Sequence, residues 1–476
     1  MTTRLTVQDA SFFFLEGGAT PMHIGSLAVF RTPRAGFSYD DLLNLVESRL
    51  PLVPRYRQKV RQVALGLTRP VWIDDTDFDI TYHIRRSALP KPGSDEQLHD
   101  LIARLMSRPL DQSRPLWEIY LVEGLARNRF AIFAKSHSSL VDGEKALEIT
   151  HVIFDARRTR PVPTDEVWVP AREPGDAELV FEAVAEMVSR PGEAVARARE
   201  AVDGVASGVA SGIGEAGRVV GRLAAVVRTA AQVAPVSPLN AVVSRHRRYA
   251  VAATNLDDYR LIKARRGGTI NDVILAVVAG ALRSWLLSRG EPITASTTVR
   301  ALVPMSVYVA GETAPGAIRD TSGVSSILVD LPVGEPNPML RLSHIAHSTA
   351  VTTGQSPVTA ATLVALSGFA SNTLHAMGAR VASGFTQRVF NVLVTNAPGP
   401  QSPLYVGQAR MVEMYPVPPL LRNQALAIGL TSYDGHVFYG LNADREAMAD
   451  VEVLPGMLIE SLEELAEVAG ITGDRR

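Results

Sequence analysis

Apolar and polar positions along the chain fall into segments of two periods. Residues 27–30 (LAVF), 117–122 (WEIYLV) and 130–134 (FAIFA) are short apolar runs rich in aromatic and β-branched types, which predicts strands. Residues 39–50 and 96–107 carry apolar positions at helical spacing. Pro51 and Pro54 close the first and Pro109 follows the second, as expected of a residue that cannot continue a helix. Further on, 326–331 (SILVDL), 390–395 (FNVLVT) and 425–430 (ALAIGL) read as strands. Residues 271–287 (NDVILAVVAGALRSWLL) read as a strong helix starting at Asn271 or Asp272, and 456–468 as a closing helix. Strands interleaved with helices predict a mixed α/β or α+β layer fold.

The pattern changes near residue 171. Residues 176–233 are rich in Ala, Val, Gly, Glu and Arg, with Val202, Val205, Val209, Ile213 and Val220 on one helical stripe. Gly204, Gly208 and Gly212 stand four apart, and each weakens a helix by about 1 kcal/mol relative to Ala. This stretch is expected to be a marginal helical linker that depends on packing against something else. The expected organisation is an N-terminal subdomain over residues 1–170, a helical linker over 171–245 and a C-terminal subdomain over 246–476. The chain shows no short-period repeat.

Composition narrows the function classes. The 476 residues carry 48 Lys and Arg against 49 Asp and Glu, a formal charge of -1, so no bulk field draws nucleic acid, and no nucleic-acid partner is expected. The absence of cysteine excludes a disulfide framework, a thiolate nucleophile and a Cys-type zinc site. The first 18 residues hold only the apolar run Phe12–Leu15, flanked by Asp9 and Glu16, too short for a signal-peptide core. The longest stretch free of Asp, Glu, Lys and Arg, between Arg341 and Arg380, is broken by Pro357 and three histidines. A cytoplasmic protein without a transmembrane helix is expected, with peripheral contact to the inner membrane face or to lipid droplets left open.

Several motifs fail on context. Gly212–Gly217 matches GxGxxG but lies in the Gly/Ala/Val helical stretch with no strand before it. There is no P-loop, no HExxH and no GxSxG. His344 and His347 have the spacing of helical metal ligands but no acidic residue beside them; they read as surface histidines, and no metal site is expected. The clusters Arg245–Arg248 and Arg265–Arg266 read as solvated faces that could assist binding of an anionic phosphate.

Residues 135–143 read Lys-Ser-His-Ser-Ser-Leu-Val-Asp-Gly, after the strand 130–134 and before a helical stretch from Glu144. Alone, this is a polar strand-to-helix turn with Asp142-Gly143 as turn chemistry. Other blocks accompany it in order: Asp9–Phe30 (DASFFFLEGGATPMHIGSLAVF), Arg108–Leu125 with Pro115-Leu116-Trp117, Ser237–Asn240, the Asn271-Asp272 helix start, Ala301–Val307, Asn396–Tyr405 and Leu430–Asp444. Together they resemble the bacterial wax ester synthase/diacylglycerol acyltransferase family of the CoA-dependent acyltransferase superfamily, over nearly the whole chain. The family signature HHxxxDG aligns as His137-Ser138-Ser139-Leu140-Val141-Asp142-Gly143, and its NVPGP block as Asn396-Ala397-Pro398-Gly399-Pro400.

The resemblance implies two chloramphenicol-acetyltransferase-like subdomains with a channel between them. It implies transfer of a fatty acyl group from acyl-CoA, a substrate rather than a cofactor, to the hydroxyl of a long-chain alcohol or a diacylglycerol. In the family the second His of the signature is the general base, the Asp shapes the loop and the Asn-Asp pair holds the site. An imidazole with a pKa of about 6.5 can take a proton from an alcohol at neutral pH. In this chain that position is Ser138, whose hydroxyl cannot. Three readings follow. His137 takes over the base role, which needs a bulge to re-aim it, because neighbouring strand residues face opposite sides; its bland alternative is a buried structural histidine. Or Ser138 is a nucleophile, for which no Ser-His-acid set is visible. Or the chain keeps fold and lipid channel without most of the activity, binding acyl-CoA or neutral lipid or assisting an active paralogue. For the remaining residues fold-based readings compete with functional ones: Trp117 as core packing, Asn271 as helix cap, Asn396 with its Pro-Gly-Pro as a rigid turn that also lines the channel. The apolar stripe from Val358 to Met377 reads as a core helix, or as one facing a membrane or droplet.

Overall fold

The computed structural model describes residues 3–6, 9, 10, 12, 13, 16–63, 69–141, 149–158, 168–189, 234–306, 324–354, 358, 359 and 389–471. In chain order its first strands are β1 (Thr3–Arg4), β2 (His23–Arg31), β3 (Gln58–Arg61), β4 (Val71–Asp74), β5 (Ile84–Ala88), β6 (Trp117–Leu125) and β7 (Arg129–His137). The later ones are β8 (Arg247–Asn255), β9 (Val299–Ser306), β10 (Val324–Leu331), β11 (Val358–Thr359), β12 (Val392–Pro398), β13 (Tyr405–Val406), β14 (Ala409–Val417), β15 (Leu426–Tyr433) and β16 (His436–Asp444). The longer helices are α1 (Tyr39–Arg49), α2 (Asp95–Met106), α3 (Asp176–Ser189), α4 (Leu256–Arg266), α5 (Ile270–Ser288), α6 (Pro338–Gly354) and α7 (Leu454–Val468).

Three sheets result. The first large sheet has the order β13-β14-β2-β7-β6-β5, the second β11-β10-β9-β12-β15-β16-β8, and β1-β4-β3 form a small third. Each large sheet is mixed: β5 runs parallel to β6, and β12 parallel to both β9 and β15, while the other pairs are antiparallel. The two large sheets form the two-subdomain α/β architecture that the resemblance implied.

Local sequence explains the elements. β2 and β7 are buried on both faces, which is why they read as near-continuous apolar runs rather than as alternations. Helices α1 and α2 start at capping boxes, Ser38 with Asp41 and Ser94 with Gln97, in which side chain and backbone satisfy each other's free donors. Helix α5 is apolar almost all round because it is enclosed: Val273 to Leu282 are buried without interruption, against α6, α7 and the second sheet. It is long and apolar enough to cross a membrane, with mean hydropathy 1.6, but 72% of that stretch is buried inside the fold.

Three expectations change. First, the chain does not divide at one boundary: β13 and β14, expected within the 246–476 subdomain, complete the first sheet. β14 pairs antiparallel with β2, Val417 opposite Gly25 and Met411 opposite Phe30. Without it, β2 would expose a nine-residue apolar edge, which folds avoid. Second, Asn271 is not the cap of α5. Thr269 is, with Asp272 closing the capping box, so the helix begins one residue earlier and Asn271 lies within its first turn. Third, Val358 and Thr359 form the short strand β11, paired with β10, rather than the start of a helix; the rest of that apolar stripe lies outside the described residues. So do residues 190–233 of the linker, including Gly204, Gly208 and Gly212.

Candidate active site

β7 lies between β2 and β6, and its last residue is His137. Register places His23 of β2 opposite His137, and Trp117 of β6 opposite Ser136. The backbone ties the motif to two distant blocks. His137 N–H donates to the Leu116 carbonyl at 2.9 Å, and Ser138 N–H to the Met22 carbonyl at 2.8 Å. Pro115 and Leu116 are buried beside it. Trp117 packs in the core as expected: its indole N–H donates to the Tyr56 carbonyl at 2.7 Å and its ring stacks on His83 at 4.5 Å. The Pro-Leu-Trp element therefore acts on the motif through the backbone of His137.

His137 is 1% exposed and lies under the Phe13 ring, centroids 4.4 Å apart. The β2–β7 register is unbroken from Arg31–Arg129 to His23–His137, so no bulge re-aims the side chain. Alternation puts it on the face of Lys135, whose Nζ donates to the Leu105 and Arg108 carbonyls at the end of α2. Its Nδ1 accepts the Ser139 backbone N–H at 3.2 Å and lies 2.8 Å from the Ser139 hydroxyl. The neutral ring therefore carries its proton on Nε2. Burial pushes the pKa of His137 down to about 3, so the ring has little affinity for a proton at neutral pH. This geometry is that of a structural histidine, not of a base facing a substrate.

Ser138 opens the helical turn Ser138–Val141 and is 1% exposed. Its hydroxyl donates to the Met22 carbonyl at 3.1 Å, which leaves it neither a base nor an activated nucleophile. Asp142 and Gly143 lie outside the described residues.

Around His137 the structure gathers groups that motif reading did not single out. The carboxylate of Glu16 lies 3.9 Å from His137 Nε2 and 3.8 Å from His23 Nε2. Gln112 Nε2 donates to Glu16 at 3.0 Å, and the Met22 backbone N–H donates to it as well. Burial raises the pKa of Glu16 from its ordinary value, against those two hydrogen bonds, which lower it. His23, 2% exposed, accepts the Leu110 N–H on Nε2 at 3.4 Å. Burial holds its pKa well below the usual imidazole value, helped by Lys135, His137 and Arg247. Glu16 opens onto a cleft of about 380 Å³ lined also by Phe13, Ala19, Pro109, Gln112 and Arg245. Both Glu16 and His23 stand in the Asp9–Phe30 block, but no spacing in the sequence ties either to residue 137.

The other expected site residues form a second group. Asn396 on β12 donates its Nδ2 to Asn271 Oδ1 at 3.4 Å. Asp272 is buried, accepts the Thr349 hydroxyl at 2.7 Å and so joins α5 to α6. Asn271, Asp272 and Asn396 thus lock the second subdomain; among the described residues no hydrogen bond joins them to His137 or Ser138. His344 and His347 are exposed on α6, as expected of surface histidines.

Residues 5–274 match the family profile described as the wax ester synthase/diacylglycerol acyltransferase catalytic domain, and residues 323–466 match the WS/DGAT C-terminal domain. The first match alone spans more than half of the chain. The chain belongs to the wax ester synthase/diacylglycerol acyltransferase family. Among its relatives is the probable diacylglycerol O-acyltransferase tgs3 of Mycobacterium tuberculosis, 56% identical over 266 residues, which cover 56% of this chain and 97% of that protein. A full-length relative is the probable diacylglycerol O-acyltransferase tgs2 of the same organism, 32% identical over 97% of this chain and 98% of its own. The solved wax ester synthase/diacylglycerol acyltransferase from Marinobacter aquaeolei VT8 superposes with a TM-score of 0.68 at 25% identity, covering 98% of this chain and all of that one. The starter condensation domain of rhizomide synthetase shares the fold alone, with a TM-score of 0.56 at 14% identity over 98% of this chain. This wax ester synthase/diacylglycerol acyltransferase family member is accordingly an acyltransferase of the two-subdomain condensation-like fold.

Proposed function

We propose that this chain transfers a fatty acyl group from acyl-CoA to the hydroxyl of a diacylglycerol or a long-chain alcohol, making triacylglycerol or wax ester. The observation that carries the reading is the placement of the signature loop: it leaves the central strand β7 bound by backbone hydrogen bonds to both the Asp9–Phe30 block and the Pro-Leu-Trp element. The reaction needs no cofactor; acyl-CoA is a substrate, and the thioester supplies the driving force. Because both the acyl donor and the acceptor are lipids, the protein works in the cytoplasm at the surface of the inner membrane or of lipid droplets.

A second reading rests on one observation. The hydroxyl of Ser138 is tied to Met22 and His137 is buried with a pKa of about 3, so neither residue of the signature's histidine pair supplies a base. General-base catalysis is worth about 10²–10⁴-fold, and a chain without it would bind acyl-CoA or neutral lipid, or assist an active paralogue. The test is transfer by the purified chain from radiolabelled palmitoyl-CoA to diacylglycerol and to hexadecanol, with Ser138→His and His137→Ala in parallel. Turnover by the wild type supports the transferase reading. A silent wild type that binds palmitoyl-CoA, together with a Ser138→His variant that gains activity, establishes the impaired one.

A further inference from the structure

The transferase reading leaves the acceptor proton without a destination, and the ends of β2 and β7 hold one group able to receive it. Glu16 and Ser138 both bond to the backbone of one residue, Met22: its N–H donates to the Glu16 carboxylate, and its carbonyl accepts both the N–H and the hydroxyl of Ser138. The carboxylate lies 3.9 Å from the ring of His137, the residue before the position where the resemblance places the family's base. Unlike His137, at 1% exposure, the Glu16 side chain is 15% exposed and opens onto the cleft. The cleft walls suit an amphipathic substrate, with Phe13, Ala19 and Pro109 apolar, and Gln112 and Arg245 polar.

We infer that Glu16 is the proton acceptor for the attacking alcohol in this chain. The inference rests on the transferase reading. The acceptor O–H gives its proton to the Glu16 carboxylate as its oxygen attacks the thioester carbonyl. The carbon–sulfur bond then breaks, and the departing thiolate takes that proton back, releasing CoA-SH and ester and restoring the carboxylate. Two features of the surroundings fit the task. Gln112 and Met22 fix the carboxylate with one donor each, so its orientation costs little at the moment of reaction. The partial burial that raises its pKa brings it closer to the acceptor proton it must take, as general bases require. The charged and titratable groups that face it are His23 and His137 from β2 and β7, and Arg245 across the cleft; Arg422 approaches Gly17 and Arg247 reaches the Ala19 carbonyl behind it.

The test uses the full-length chain, radiolabelled palmitoyl-CoA, and dipalmitoylglycerol or hexadecanol as acceptor. Glu16→Gln preserves shape and the contact with Gln112 but cannot take a proton. The expected result is a fall in kcat of about 100-fold or more with KM for palmitoyl-CoA within about threefold. A melting temperature unchanged or raised should accompany it, because a desolvated carboxylate is replaced by a neutral amide. Wild-type kcat should decline on the acid side with an apparent pKa raised from that of a free glutamate, and this limb should vanish from the residual rate of the variant. Glu16→Asp, which keeps a carboxylate one methylene further back, should retain an intermediate kcat and the acid limb. An active wild type with Glu16→Gln at full kcat overturns the inference alone, as does a loss of activity matched by a collapse in melting temperature together with a wild-type profile that has no acid limb. A wild type silent with both acceptors overturns the transferase reading, and the inference with it.

Discussion

Replacing His137 by Gln should make the first subdomain less sensitive to acid, by an amount that the structure specifies. His137 is buried, and burial pushes its pKa from 6.5 to about 3. Its neutral form is the one the fold accepts, so the folded state binds fewer protons than the unfolded chain between those two values. The stabilisation is fully present above pH 6.5 and is lost as pH falls toward 3. Each pH unit below 6.5 removes about 1.4 kcal/mol, so lowering the pH from 7.5 to 4.5 costs about 2.7 kcal/mol from this one ring, set against a typical total of about 5–15 kcal/mol. Gln is close to His in size, and any fixed packing penalty it brings is independent of pH. The assay is the urea midpoint followed by tryptophan fluorescence at pH 7.5, 6.5, 5.5 and 4.5, with Trp72 and Trp117 reporting from this subdomain. The wild-type curve also contains His23, His83 and His99, all lowered chiefly by burial, so the quantity that matters is the difference between wild type and variant. That difference should narrow by about 2–3 kcal/mol between pH 7.5 and 4.5. Parallel curves, within about 0.5 kcal/mol, would refute the assignment of His137 as a buried neutral histidine.

Two further predictions concern how the subdomains are held. Gly440→Ala should be strongly destabilising, because its Cβ would lie 1.7 Å from the Pro416 carbonyl oxygen where β16 meets β14. A cost of about 3 kcal/mol is expected, read as a fall in Tm of roughly 5 °C or more, and an unchanged Tm would show that the sheets do not meet there. Asn391→Ala should cost about 2–3 kcal/mol in urea unfolding, because a fully buried side chain donates to the Pro235 carbonyl at 2.8 Å and to Asn240 at 2.5 Å and accepts the Arg300 N–H at 2.7 Å. A loss under about 0.5 kcal/mol would mean that these groups find other partners.

Much of this protein was legible before folding. The strand runs 27–30, 117–122 and 130–134 fall within β2, β6 and β7, and the helix expected at 271–287 is α5 with one residue added at each end. These elements are legible because burial writes itself as a period, whether the neighbours are known or not. Caps were harder. Thr269 and Asn271 are both capping types, and only the reciprocal hydrogen bonds with Asp272 decide between them.

By itself, then, the sequence determined the element types, the layer class and the family likeness, all of which depend on residue identity and on neighbours within a few positions. Only the tertiary structure decided the rest. It placed β14 beside β2 although almost 400 residues of chain separate them, and it buried His137 under Phe13. It also set Glu16 between the imidazoles of His23 and His137. The reason is physical. Sheet pairing and desolvation depend on which surfaces meet in space, and a pKa depends on the medium around a group rather than on its place in the chain.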